Sequence, residues 1–146
     1  MAEINRKASA VWRGNLKKGQ GRISSESGIL RDASYSFGTR FENEPGTNPE
    51  ELIAAAHAAC FSMAFAGALA EAGYEPESIE THATCTLRSR QGGGFEITSM
   101  QLQTRGQVPG IDDEAFKRIA HQAEEGCPVS RLLRPGLEIH LDAALL

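Results

Sequence analysis

The stretch from Leu52 to Ala70, LIAAAHAACFSMAFAGALA, runs for nineteen residues without a formal charge. At about 1.5 Å per residue it is nearly long enough to cross the apolar centre of a bilayer. Its composition argues against that use. Nearly half of it is alanine, which contributes little to insertion, it carries His57, Cys60 and Ser62, and neither an aromatic belt nor flanking Lys/Arg accompanies it. A helix apolar on all sides is otherwise a central helix buried on every face. Its start is well marked in Gly46-Thr47-Asn48-Pro49-Glu50-Glu51. Asn48 suits the N-cap, Pro49 the first helical position and Glu51 the third position of a capping-box-like pattern, while two acids suit the positive end of the helix dipole. Gly73 supplies a left-handed residue just beyond, so the helix is predicted over about 49–72.

The chain around this helix reads as strands and shorter helices. Ala8 to Arg13, Gly21 to Ser25 and Tyr35 to Phe41 are predicted strands, the last because aromatic and small or polar residues alternate with period two. In that strand Gly38 and Arg40 share the face opposite Tyr35, Phe37, Thr39 and Phe41. Ile79 to Ser89 and Phe95 to Val108 form a hairpin through Gln91-Gly92-Gly93-Gly94. Asp112 or Asp113 caps a second helix to about Glu125, with Phe116, Ile119, Ala120 and Ala123 as its apolar stripe. Pro128 starts a short helical turn to Leu133, and Leu137 to Leu141 alternates as a final strand. This order indicates α+β rather than repeated βαβ units.

At 146 residues the chain is the size of one domain. With 15 Lys+Arg against 19 Asp+Glu and no basic run longer than Lys17-Lys18, a nucleic-acid footprint is missing. Three cysteines do not make a secreted disulfide scaffold, and the first residues have no apolar core before a cleavage site. A cytoplasmic protein with reduced cysteines is expected.

Cys60 sits in the middle of the apolar helix, away from the N-terminal dipole that commonly lowers a thiol pKa. If it reacts, a cation from elsewhere must stabilise its thiolate, and Arg40 is the best donor. His57 lies three residues before Cys60, on the same helix face. It could act as a base for the thiol or as half of a His-x-x-Cys metal site, although no second Cys/His pair follows. A histidine with a structural hydrogen bond is the plainer reading. Cys127, in Gly126-Cys127-Pro128, stands where backbone N–H groups stabilise a thiolate, whereas Cys85 lies within a strand with no motif around it and reads as packing.

The run FGTRFENEPGTNPEELIAAAHAACFSMA, together with PGID and the later GCPVS, resembles the OsmC/Ohr family of osmotically inducible and organic hydroperoxide resistance proteins, nearer its OsmC branch. The similarity extends from Val11-Trp12 to the last strand. It implies a single α+β domain over residues 1–146, forming an intertwined homodimer with an antiparallel sheet, a long central helix and a second helix. It also implies a thiol-dependent peroxidase of oxidative or osmotic stress defence, acting on organic hydroperoxides or hydrogen peroxide. Carried over by position, Cys60 matches the peroxidatic cysteine, Cys127 the resolving one, Arg40 the arginine beside the reactive sulfur and Glu50 the acid that holds it. Cys60 would become a sulfenic acid, condense with Cys127 to a disulfide and be restored by a dithiol reductant, typically a dihydrolipoyl group. No cofactor, metal, nucleic acid or membrane partner is implied. A non-catalytic thiol redox sensor and a metal- or small-molecule-binding dimer using His57 and Cys60 are the alternatives.

Glu50 and Cys60 are ten residues apart on one predicted helix, about 15 Å along its axis. They share a compact site only if a partner helix brings Glu50 from another chain. The small residues Ala54, Ala55, Ala58 and Ala59 permit such close helix pairing. Phe41, Phe61, Met63 and Phe65 are candidates for an apolar wall beside an organic substrate, and ordinary core packing explains them equally well.

Overall fold

A computed structural model describes residues 2–134, which fall into two compact units. The predicted strand at Leu137 to Leu141 lies outside the described residues. The first unit comprises the chain up to Ile53 together with Cys85–Thr98. In it β1 (Ala8–Arg13), β2 (Gln20–Ser25) and β3 (Ala33–Tyr35) form an antiparallel sheet in that order. Gly21 faces Trp12 on one side and Tyr35 on the other. A Cβ at position 21 would lie 2.2 Å from the Tyr35 ring, so the missing side chain is what lets that ring cross the strand and come within 5.4 Å of the Trp12 ring, centroid to centroid.

The strand predicted over Tyr35 to Phe41 is not formed. β3 ends at Tyr35, and Phe37–Phe41 is a short helix, α1. Ser36 is the reason. Its hydroxyl accepts the Thr39 N–H at 3.2 Å, while Thr39 Oγ1 accepts the Ser36 N–H at 2.9 Å, a reciprocal capping box. These local hydrogen bonds outweigh the period-two pattern. The two phenylalanines spaced four apart then stack on one helix face, with ring centroids 4.8 Å apart, and Arg40 sits in the last helical turn rather than on a strand.

Helix α2 (Pro49–Glu71) starts as its sequence dictates, with Asn48 Oδ1 accepting the Glu51 N–H at 2.8 Å. It passes into the second unit, Ala54–Thr84 with the chain from Ser99 onward. Gly73, at φ +92°, stops it, and the Tyr74 N–H closes back on the Leu69 carbonyl at 2.9 Å. β4 (Ser78–Ser89) and β5 (Phe95–Gln107) form a hairpin sheet that turns where the Arg90 N–H donates to Gly94 O at 2.9 Å. Helix α3 (Asp113–Gly126) is capped by Asp112, whose carboxylate accepts the Ala115 N–H at 2.7 Å, and α4 (Pro128–Leu133) follows directly.

The core lies in the second unit. Phe61, Phe65 and Leu69, spaced four apart on α2, pack against Ile119, Ala123 and Cys127 at the other side. Each large side chain so buried contributes about 1.5–3 kcal/mol. Phe61 and Phe65 are therefore core residues, the packing role the sequence allowed them, and Met63 is 78% exposed. Among the described residues α2 is the one helix long and apolar enough to cross a membrane by length and composition. It spends one face on the core. The expectation that it is buried all round fails for the single chain, because Ala55, Ala56, Ala59, Met63 and Gly67 remain exposed on another face.

Candidate active site

Two clusters hold the residues singled out by sequence. The first stands where α1 gives way to α2. Arg40 Nη2 lies 2.7 Å from Glu50 Oε1, and Arg40 Nε lies 3.2 Å from each carboxylate oxygen. Asn48 sets this geometry, since its Nδ2 donates to Thr39 O at 3.0 Å while its Oδ1 caps α2, fixing both ends of the ion pair. Glu50 is buried and Arg40 a third exposed, so the guanidinium keeps donors free for an anion. Cys85 belongs to this unit. Burial first, and then the Glu50 charge, push its thiol pKa up.

The second cluster joins α2 to the junction of α3 and α4. Cys127 is fully buried between those helices, closing one and opening the next. It neighbours Cys60, and both are free thiols. Burial pushes Cys60 up, the Val129 amide opposes that, and the neighbouring Cys127 raises it further. Burial also acts to raise Cys127, but the Ser130 amide, the Ser130 hydroxyl, the Cys60 thiol and the Val129 amide together bring it below its ordinary value. Of the two sulfurs, Cys127 thus holds negative charge more readily. Among the groups of this unit, an amide alone favours a Cys60 thiolate.

His57 completes this cluster. It is buried, and its Nε2 lies 2.7 Å from Ser130 Oγ. Burial lowers its pKa most, with Glu124 raising it and Arg134 lowering it, so the ring is neutral near pH 7. Ser130 has no separate role in the sequence reading, and the available signal is its place one turn after Cys127. No three His, Cys, Asp or Glu side chains gather as a metal-binding group among the described residues.

A buried cysteine beside a part-buried one on an α+β scaffold, with a long apolar helix carrying the second sulfur, defines a class of small thiol proteins. Residues 41–142 match the family described as OsmC-like protein. Peroxiredoxin OsmC of Escherichia coli K12 is 51% identical over 142 residues, 97% of each chain. Organic hydroperoxide resistance protein OhrB of Bacillus subtilis is 29% identical over 123 residues, 84% of this chain and 88% of its own. The crystal structure of that OhrB superposes with a TM-score of 0.66, covering 88% of this chain and 91% of the other. A Legionella pneumophila organic hydroperoxide resistance protein shares the fold with a TM-score of 0.68 at 23% identity, covering 92% of this chain and 93% of its own. The chain belongs to the OsmC family. Glu50, Cys60 and Cys127 fall within the matched stretch, and Arg40 lies one residue before it.

Proposed function

We propose that the protein is a cytoplasmic thiol peroxidase that reduces organic hydroperoxides to alcohols. The reading is supported by the names of its relatives, Peroxiredoxin OsmC and the organic hydroperoxide resistance proteins, and above all by the neighbouring free thiols of Cys60 and Cys127. The Cys60 thiolate attacks the distal peroxide oxygen, the O–O bond breaks and the alkoxide leaves as alcohol after taking a proton. Cys60 is left as a sulfenic acid. Cys127 displaces its hydroxide to form the disulfide, and a dithiol such as a dihydrolipoyl group returns both sulfurs to thiols.

A Cys60 thiolate needs more help than one amide gives, because burial opposes it. In this reading Arg40, oriented by Glu50, is brought to Cys60 by the partner subunit of a homodimer, where it stabilises the thiolate and the charge developing on the leaving oxygen. Support comes from the ten-residue separation of Glu50 and Cys60 on α2. The exposed small-residue face of α2 is a second reason, being narrow enough for a helix of a second copy to lie close. Residues 1–146 then act as one OsmC-like domain completed by dimerisation.

Peroxide consumption with tert-butyl hydroperoxide and dihydrolipoamide tests these roles in the wild type, Cys60→Ser and Cys127→Ser. Cys60→Ser is expected to abolish even a single oxidation. Cys127→Ser is expected to complete one turnover and leave a sulfenic acid that a dimedone-type reagent traps. Equal activity in the two variants contradicts the assignment, and a single stoichiometric oxidation of the wild type points to a sensor instead.

A further inference from the structure

His57 and Ser130 are 4% and 3% exposed, and they meet across 73 residues of sequence in a 2.7 Å hydrogen bond. His57 Nδ1 has no partner among the described residues. A buried N–H without an acceptor is the rarer and costlier orphan, so the unpartnered nitrogen is the bare one and the proton sits on Nε2. Nε2–H therefore donates and Ser130 Oγ accepts. That leaves the Ser130 proton to be donated elsewhere, and Ser130 stands one turn after Cys127, whose thiolate its hydroxyl favours.

We propose that His57 is a positioning residue for the resolving cysteine: by donating from Nε2 to Ser130 Oγ, it turns the Ser130 hydroxyl onto the Cys127 sulfur, so that Cys127 meets the Cys60 sulfenic acid as a thiolate. The proposal rests on the peroxidase reading and concerns only its second half. There the Cys127 sulfur forms the S–S bond and is oxidised, the Cys60 S–O bond breaks and that sulfur is reduced. The departing hydroxide takes up a proton, equivalent to the one Cys127 released, and becomes water. Glu124 on α3 and Arg134 after α4 act on His57 in opposite directions and pair with each other, while Cys60 faces Cys127 from α2. Burial is the larger influence on the ring and keeps it uncharged, and its part is to hold a hydroxyl in one rotamer.

The test separates the two half-reactions. Each protein is oxidised with one equivalent of cumene hydroperoxide, and conversion of sulfenic acid to disulfide is then followed as a function of pH. His57→Leu and Ser130→Ala are expected to move the midpoint of that step up by about one pH unit, making it about tenfold slower below both midpoints. His57→Gln keeps an N–H donor and Ser130→Thr keeps the hydroxyl, and both are expected to return most of the rate. An unmoved midpoint in His57→Leu and Ser130→Ala, or a glutamine no better than leucine, overturns the proposal. Should His57→Leu fail to fold, Ser130→Ala against Ser130→Thr decides the same question, because only one oxygen atom is at stake. A wild type whose Cys60 takes no oxygen from the peroxide refutes the peroxidase reading itself, before resolution is reached.

Discussion

The unit containing Cys60 and Cys127 buries Phe61, Phe65, Leu69, Ile119 and Ala123, whereas the unit containing Arg40 buries, among its described residues, only two glycines and Glu50. One has a hydrophobic core, with Cys127 inside it and Cys60 part-buried against it. The other is held by strand ladders and helix caps, and it leaves Val11, Leu16, Phe95 and Ile97 exposed. The difference separates two ways of holding a reactive group. A thiol gains its position by packing and has its pKa raised by the same burial, while a guanidinium stays mobile unless a carboxylate and a cap pin it. Glu50 and Asn48 do that pinning in a region with little apolar burial of its own. In the proposed dimer, each half supplies what the other lacks.

The sharpest way to break that comparison is complementation. Arg40→Met and Cys60→Ser homodimers are each expected to be nearly inactive. Subunit exchange in an equal mixture is expected to restore about a quarter of wild-type peroxidase activity, since half the dimers then carry one intact composite site. No recovery would mean that Arg40 serves the Cys60 of its own chain. The next effect is on folding. Phe65→Ala removes the most buried ring of the α2–α3 core and is expected to cost about 3–5 kcal/mol in chemical denaturation. The smallest effect is on acid stability. His57 has a folded pKa below 6.5, so the unfolded chain takes up a proton there that the folded chain resists. Stability is expected to fall as pH drops below about 6.5, and His57→Gln to flatten that slope, measured as the unfolding midpoint against pH.

Much of the architecture was legible because its signals are local. Asn48 and Pro49 mark the start of α2 and Gly73 its end, Asp112 caps α3, and Pro128 opens α4, each where the structure has it. The error at Tyr35–Phe41 is equally local. Ser36 and Thr39 form a capping box with a threonine where glutamate or glutamine is the usual signal, and the alternation of aromatics concealed it. The face of α2 was misjudged for another reason, since an apolar pattern marks a surface as coverable without saying which chain covers it. The roles given to Arg40, Glu50, Cys60 and Cys127 came from family resemblance, not from spacing. No periodicity relates positions 60 and 127, or 57 and 130, because those meetings depend on how α2 packs against the α3–α4 junction.

Gly21 and Tyr35 behave as a single heritable character. A methyl group at position 21 would collide with the phenol ring lying over it, and shrinking that ring would leave the Trp12 indole without its neighbour. Drift at either position is therefore tolerated only alongside a matching change at the other. Across a set of diverging descendants, the two columns should change together or not at all.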